Sequence, residues 1–200
     1  LGADPSGREV LLRWTSRASE GRTTPRADVE HAALKDVADL AAPQPLDLLW
    51  LPDRVVSVSE WVHGASPVTP ERLGDPRVAT ELVRVLRRIH AAGWIHGDLK
   101  PSNLLFRRSG ALVLTDWELA SRQGDPCAPG TPGWAPAEAL SGTPLAAPWF
   151  DVHSASRILE GCAGADVEEL RACASRKSPL VGADAAAPRA CTRRVRRFFL

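Results

Sequence analysis

The sequence predicts an α+β fold, a small β-rich lobe with one helix followed by a mainly helical lobe. Three observations predict it. Short runs of strand-forming residues crowd the first sixty positions. Beyond them Val78, Leu82, Val85, Leu86 and Ile89 fall at i, i+4, i+7, i+8 and i+11, one face of a strongly amphipathic helix. The composition, 44% hydrophobic and 24% charged over 200 residues, suits a packed core and excludes a disordered, collagenous or disulfide-scaffold chain.

Each element follows from local chemistry. Asp4-Pro5-Ser6-Gly7 is a turn, and Arg8 to Trp14 after it is a β-rich run. Val29, Ala32, Ala33, Val37 and Leu40 predict a helix over 27–40, with Asp28 near its positive end. After the break Ala41-Ala42-Pro43-Gln44-Pro45, residues 47–51 and 54–62 are strand candidates. Residues 63–77, with three prolines and two glycines, read as loop, and Gly93 is placed to end the helix that follows. Leu104 to Phe106 and Ala111 to Thr115 read as a hairpin across Arg107-Arg108-Ser109-Gly110. The Gly- and Pro-rich stretch 116–148 reads as a long ordered loop, a kind usually tied to function. Helices are predicted over 151–163 and 166–176; 178–189 is ambiguous, and 190–200 is a candidate last helix.

Lys+Arg 25 against Asp+Glu 24 leaves a net charge of +1, which supplies no general attraction to nucleic acid or an anionic membrane. Of the 25 basic residues 22 are Arg, and Met and Tyr are absent, a pattern we read as coding bias. Cys127, Cys162, Cys173 and Cys191 form no CxxC pair and have no His at zinc-finger spacing, so a metal site on cysteine is not expected. With no signal peptide in the sequence, four such thiols fit a reducing cytoplasm. The run Leu48-Leu49-Trp50-Leu51 is far too short to span a membrane.

Chemistry concentrates around the hairpin. Asp98 lies on the loop that enters it, Asn103 five residues on, and Asp116 where it exits. Strand pairing brings hairpin ends together, so Asn103 and Asp116 are expected to be neighbours. Such hard oxygen donors suit Mg²⁺ bound together with substrate phosphates.

These residues stand in four ordered motifs. His96-Gly97-Asp98-Leu99-Lys100-Pro101-Ser102-Asn103 resembles the catalytic loop of eukaryotic-type protein serine/threonine kinases, and Asp116-Trp117-Glu118 resembles their Asp-Phe-Gly motif. The segment from Gly130 to Glu138 resembles their Ala-Pro-Glu activation-segment end, and Asp151-Val152-His153-Ser154 the start of their central helix. The resemblance implies a bilobal protein-kinase-like fold, with a partial N-lobe and hinge over 1–62 and a shortened C-lobe over 63–200. It implies ATP and Mg²⁺ as cofactors and a protein substrate as partner. Asp98 would accept the substrate hydroxyl's proton, Lys100 would neutralise charge on the transferred phosphoryl group, and Thr131 would support both. Asn103 and Asp116 would hold the metal. Glu60 and Val62 would read the adenine edge through their backbone beside a small Ser59, and Leu105 would lie under the ring. Arg13 stands where the family has its third-strand Lys, with Glu30 as its helix partner. Leu34, His96 and Trp117 would pack as a spine, Asp151 would hold the backbone near His96, and Glu138 would pair with an Arg further on.

Several positions depart from the family pattern. No glycine-rich phosphate loop is found, and the chain opens at Leu1 without Met, so truncation or degeneration at this end is expected. Arg13 replaces Lys and is not an equivalent phosphate anchor. Leu11 replaces a small Ala, Glu118 replaces Gly, and Gly97 replaces the Arg that clamps an activation-loop phosphate. Two other functions are therefore weighed: a pseudokinase acting as a binding module, and a small-molecule phosphotransferase of the aminoglycoside or choline kinase type. The Arg193-Arg194-Val195-Arg196-Arg197 run reads as a solvated helix face.

Overall fold

The computed structural model describes residues 1–16, 27–63, 65–141 and 144–180. Its first part is a four-stranded antiparallel sheet in the order β1-β2-β4-β3, built from β1 (Gly2–Ala3), β2 (Glu9–Ser16), β3 (Pro45–Trp50) and β4 (Arg54–Glu60). Strand β4 shows why this segment is a strand. Val55, Ser57 and Ser59 are buried while Val56 and Val58 alternate with them, the period of a pleated sheet with one covered face. Pairing of Val10 with Glu60 and Arg13 with Ser57 fixes the register. The predicted strand 54–62 thus ends two residues early, at Glu60.

Helix α1 (Ala27–Ala41) carries Ala27, Glu30, Ala33, Leu34, Val37 and Ala41 on its buried face. Its first N–H is capped from another element, since Ala27 N donates to Thr15 Oγ1 of β2 at 2.8 Å. The 63–77 stretch, expected to be loop, contains β5 (Ser66–Pro67) and one turn of helix, α2 (Pro70–Leu73), with Thr69 as its cap. Both are too short to show a period, and β5 exists because it pairs with the hairpin strand at Phe106 and Leu105.

Helix α3 (Pro76–Ala91) is the predicted amphipathic helix extended by two residues at each end. Asp75 caps it through Arg77 N at 3.0 Å, and Pro76 fills the first turn, where no N–H is required. Leu82, Leu86 and Ile89 are fully buried in a continuous apolar cluster running from Ala33 and Leu34 of α1 to Leu170 and Cys173 near the described C-terminus. Burial of each such side chain stabilises by roughly 1.5–3 kcal/mol, so α3 is the central support of the fold.

The hairpin is β7 (Leu104–Phe106) and β8 (Leu112–Leu114), preceded by the two-residue β6 (Trp94–Ile95). The 116–148 stretch is more regular than a loop. It holds a 3₁₀ turn at Trp117–Leu119, β9 (Ser121–Arg122) paired with β6, a bridge between Pro126 and Leu145, and α4 (Ala137–Leu140). Helix α5 (Pro148–Ile158) starts three residues before the predicted 151–163 and stops five short of its end; α6 (Ala165–Ser175) matches 166–176 within one residue. Pro148 opens α5 early, and Gly161 at φ 89° lies in the left-handed region where a helix cannot continue. The predicted stretches 178–189, beyond residue 180, and 190–200, with Cys191 and the Arg run, lie outside the described residues. Cys127, Cys162 and Cys173 are free thiols. Among the described residues no helix is long and apolar enough to cross a membrane. Antiparallel strands in a four-stranded sheet, a three-stranded sheet of β5, β7 and β8 and the β6–β9 pair, with helices packed among and after them, make an α+β fold.

Candidate active site

The loop between β6 and β7 carries the first group. Gly97 has φ 80°, and a Cβ there would stand 2.8 Å from Leu119 O, so the Gly that departs from the family motif is required by local geometry. The loop is fixed from below by Asp151 of α5, which is 1% exposed. Its Oδ2 accepts from His96 N at 2.8 Å and contacts His90 Nε2 at 3.0 Å, and its Oδ1 accepts from Gly97 N at 3.0 Å. Burial pushes the Asp151 carboxyl up, yet His90, His96 and the Gly97 amide together hold it below the ordinary Asp value.

His96 is fully buried and fully satisfied as a neutral ring. Nε2 donates to Thr115 O at 3.0 Å, and Nδ1 accepts from Asp98 N at 3.3 Å. Burial lowers its pKa, in accord with that neutral form. Its ring lies 4.7 Å from the Trp117 ring, and Trp117 and Leu34 are each 1% exposed, so the three side chains expected to form a spine are all buried.

Asp98 is 6% exposed and its oxygens are divided between two partners. Oδ1 accepts from Thr131 N at 2.9 Å and Thr131 Oγ1 at 2.6 Å; Oδ2 accepts from Lys100 Nζ at 2.6 Å. Lys100 Nζ also donates to Thr131 Oγ1 at 3.0 Å, which closes a triangle of Asp98, Lys100 and Thr131. Burial raises the Asp98 carboxyl, but the Lys100 and Thr131 hydrogen bonds outweigh it and leave its pKa below the ordinary value. Thr131 reaches this point because Gly130 is so close to the loop that a Cβ would meet Gly97 O at 2.6 Å.

Asn103 and Asp116 flank the hairpin, joined through Thr115 N, which donates to Asn103 O at 2.9 Å. Asn103 Nδ2 donates to Asp98 O at 2.9 Å, which orients the amide and leaves Oδ1 as the acceptor. Asp116 adopts a left-handed backbone, φ 67° and ψ 59°, a conformation Asp tolerates better than most residues.

Arg13 of β2 meets three carboxylates. Nε lies 3.1 Å from Glu30, Nη2 lies 2.8 Å from Asp116, and Nη1 donates to Glu118 at 3.0 Å. The first two contacts are ion pairs without hydrogen-bond angles; Arg13 Nε, Asp116 Oδ1 and the other Glu30 oxygen, Oε2, are buried with no hydrogen-bond partner. Burial of Glu30, only partly offset by Arg13 and reinforced by Asp116 and Glu118, pushes its pKa up to about 7.

Glu60 ends β4, with its side chain on Arg107 at 2.6 and 2.9 Å, while Val62 is buried and Leu105 of β7 is half-buried. Glu138 pairs with Lys177, not with an Arg, and Lys177 also lies over the Trp149 ring at 5.6 Å. Five partners were not anticipated from sequence: His90 for Asp151, Asp116 and Glu118 for Arg13, Arg107 for Glu60 and Lys177 for Glu138. Only Glu118 left a trace there as a departure, a carboxylate replacing a Gly.

Oxygen donors from Asn103 and Asp116 fit Mg²⁺. Asp116 is a carboxylate with only the Arg13 ion pair on its Oδ1, and the amide of Asn103 is held in a fixed orientation by Asp98 O. Among the described residues no three His, Cys, Asp or Glu side chains form a metal cluster. Mg²⁺ needs none, because it takes one or two protein oxygens plus phosphates.

The motifs agree with known proteins. A family model for the protein kinase domain matches residues 57–162. Maternal embryonic leucine zipper kinase of Xenopus tropicalis is 25% identical over 124 residues, 58% of this chain and 19% of that protein. Serine/threonine-protein kinase pak-2 of Caenorhabditis elegans is 30% identical over 109 residues, 49% of this chain and 20% of its own. Mitogen-activated protein kinase 12 of Homo sapiens is 45% identical over 58 residues, 28% and 16% of the two. The matched regions cover a fifth or less of each of these relatives. Since the kinase model matches more than half of this chain, through the hairpin and the motifs on either side of it, the chain belongs to the protein kinase domain family.

Proposed function

We propose that this chain acts as a cytoplasmic protein serine/threonine kinase, transferring the ATP γ-phosphoryl group to a hydroxyl of a protein substrate, with residues 1–62 and 63–200 as its two parts. The observation that best supports it is the Asp98–Lys100–Thr131 triangle. A carboxylate held ionised and pointed by two partners is placed to accept a hydrogen bond from an incoming hydroxyl. Its lowered pKa makes it a weak base, so it aligns the hydroxyl first and takes the proton late, as the new O–P bond makes that proton acidic. The Lys100 ammonium, tied to the same carboxylate, offers positive charge to the transferred group. Thr131 ties the activation segment to the loop and favours Ser/Thr over Tyr acceptors by resemblance. Asn103 and Asp116 would hold Mg²⁺, which when bound neutralises charge on the phosphates. Glu60 and Val62 offer backbone groups to adenine, beside Leu105.

In a transfer assay from labelled ATP to a generic basic protein, Asp98→Ala is expected to lower incorporation by about 100-fold or more. Equal incorporation by the wild type and the variant would refute the proposal. One observation favours a second reading, a kinase-fold binding module without transfer: every nitrogen of the Arg13 guanidinium already faces a carboxylate. A melting temperature raised by Mg·ATP, with no transfer, would select that reading.

A further inference from the structure

Two departures from the family pattern, Arg13 for Lys and Glu118 for Gly, meet each other in the folded chain. The guanidinium has three nitrogens and each faces one carboxylate, at 3.1 Å for Glu30, 2.8 Å for Asp116 and 3.0 Å for Glu118. The three acceptors differ in access. The Glu30 side chain is 4% exposed and Asp116 24%, whereas Glu118 is 40% exposed, and it alone of these makes a true hydrogen bond to Arg13. Glu118 is therefore the partner that an arriving anion can displace.

We propose that Glu118 is a positioning residue that occupies Arg13 Nη1 and so competes with nucleotide phosphate for it, setting the affinity of the site. This inference rests on the nucleotide-site reading above. The same planar fork of donors recognises carboxylate and phosphate, so the two anions compete for one edge of one side chain. A lysine would offer a single rotating ammonium instead, without a separate edge reserved for each carboxylate. Because Glu118 is exposed, its hold on Arg13 is weak, and the competition tunes affinity without blocking the site.

The test measures Mg·ATP affinity by titration calorimetry on the 200-residue chain, for the wild type, E118Q, E118D, R13M and the R13M/E118Q double variant. E118Q is expected to bind about fivefold tighter than the wild type. E118D, whose shorter side chain gives up the contact, is expected to show part of that gain, and both substitute a side chain that is 40% exposed. The gain is expected to vanish in the R13M background, because Glu118 acts through Arg13. No gain in either E118Q or E118D would overturn the proposal, as would a gain that survives removal of Arg13 and so reports plain charge repulsion. If Mg·ATP binds the wild type and E118Q equally, only this proposal fails. If it binds no variant, the nucleotide-site reading fails together with it.

Discussion

The Glu30 carboxyl faces Arg13 from a nearly solvent-free position, and burial lifts its pKa from 4.5 to about 7. The folded chain therefore keeps this proton up to about pH 7, while the unfolded chain releases it near 4.5. Between those values the folded state binds more protons, so Glu30's contribution to stability is fully present below about 4.5 and is lost as pH rises through about 7. The effect is on the order of 3 kcal/mol. Glu30→Gln cannot ionise, so the melting temperature of the wild type relative to this variant is expected to fall between pH 5 and pH 8. A flat difference would show that Arg13 compensates the buried charge completely. At the same scale, sequence made Asp98, Asn103 and Asp116 legible because their spacing around a hairpin is local. The Arg13–Glu118 contact joins residues 105 positions apart and has no local signature.

Among elements, α3 shows how completely some helices are written in sequence. Its apolar period, its Pro76 at the first turn and its Asp75 cap all point to one helix, and the structure contains it. Asp75→Ala removes the side chain that accepts from Arg77 N and is expected to cost about 1 kcal/mol. A urea titration would show this as a lower midpoint at unchanged slope, and an unmoved midpoint would mean that solvent caps the helix equally well. The short elements were not legible. Strands β1, β5, β6 and β9 have two residues each, too few for any alternation, and are strands only because a partner lies beside them. Helix α1 shares this dependence at its start, where the cap comes from Thr15 of a strand.

Across the whole molecule two acidic residues tie distant segments together with different strength. Asp151 joins α5 to the backbone of the loop that carries Asp98 and to α3 through His90, with almost no solvent exposure. Glu138 joins α4 to Lys177, but the two side chains are 47% and 59% exposed. Asp151→Asn leaves buried donors poorly matched and is expected to cost about 2–4 kcal/mol, whereas Lys177→Ala is expected to stay within about 1 kcal/mol. Chemical denaturation of the two variants checks the order, and equal losses would contradict it. The same contrast gives a pH dependence. With its folded pKa depressed, Asp151 stabilises above the ordinary Asp pKa, and that support is lost as pH falls through the depressed value.

The sequence by itself determined the α+β class, the main helix, the hairpin and the loop that carries Asp98, Lys100 and Asn103. These rest on period, turn chemistry and short spacing, which act between near neighbours. Tertiary structure alone decided the partners that no motif names: His90 on Asp151, Lys177 on Glu138, and Asp116 and Glu118 beside Glu30 on Arg13. The physical reason is that an ion pair depends on distance and burial in space. Neither is defined until the α1 and α3 faces close into one core and bring β2 up to the hairpin's end.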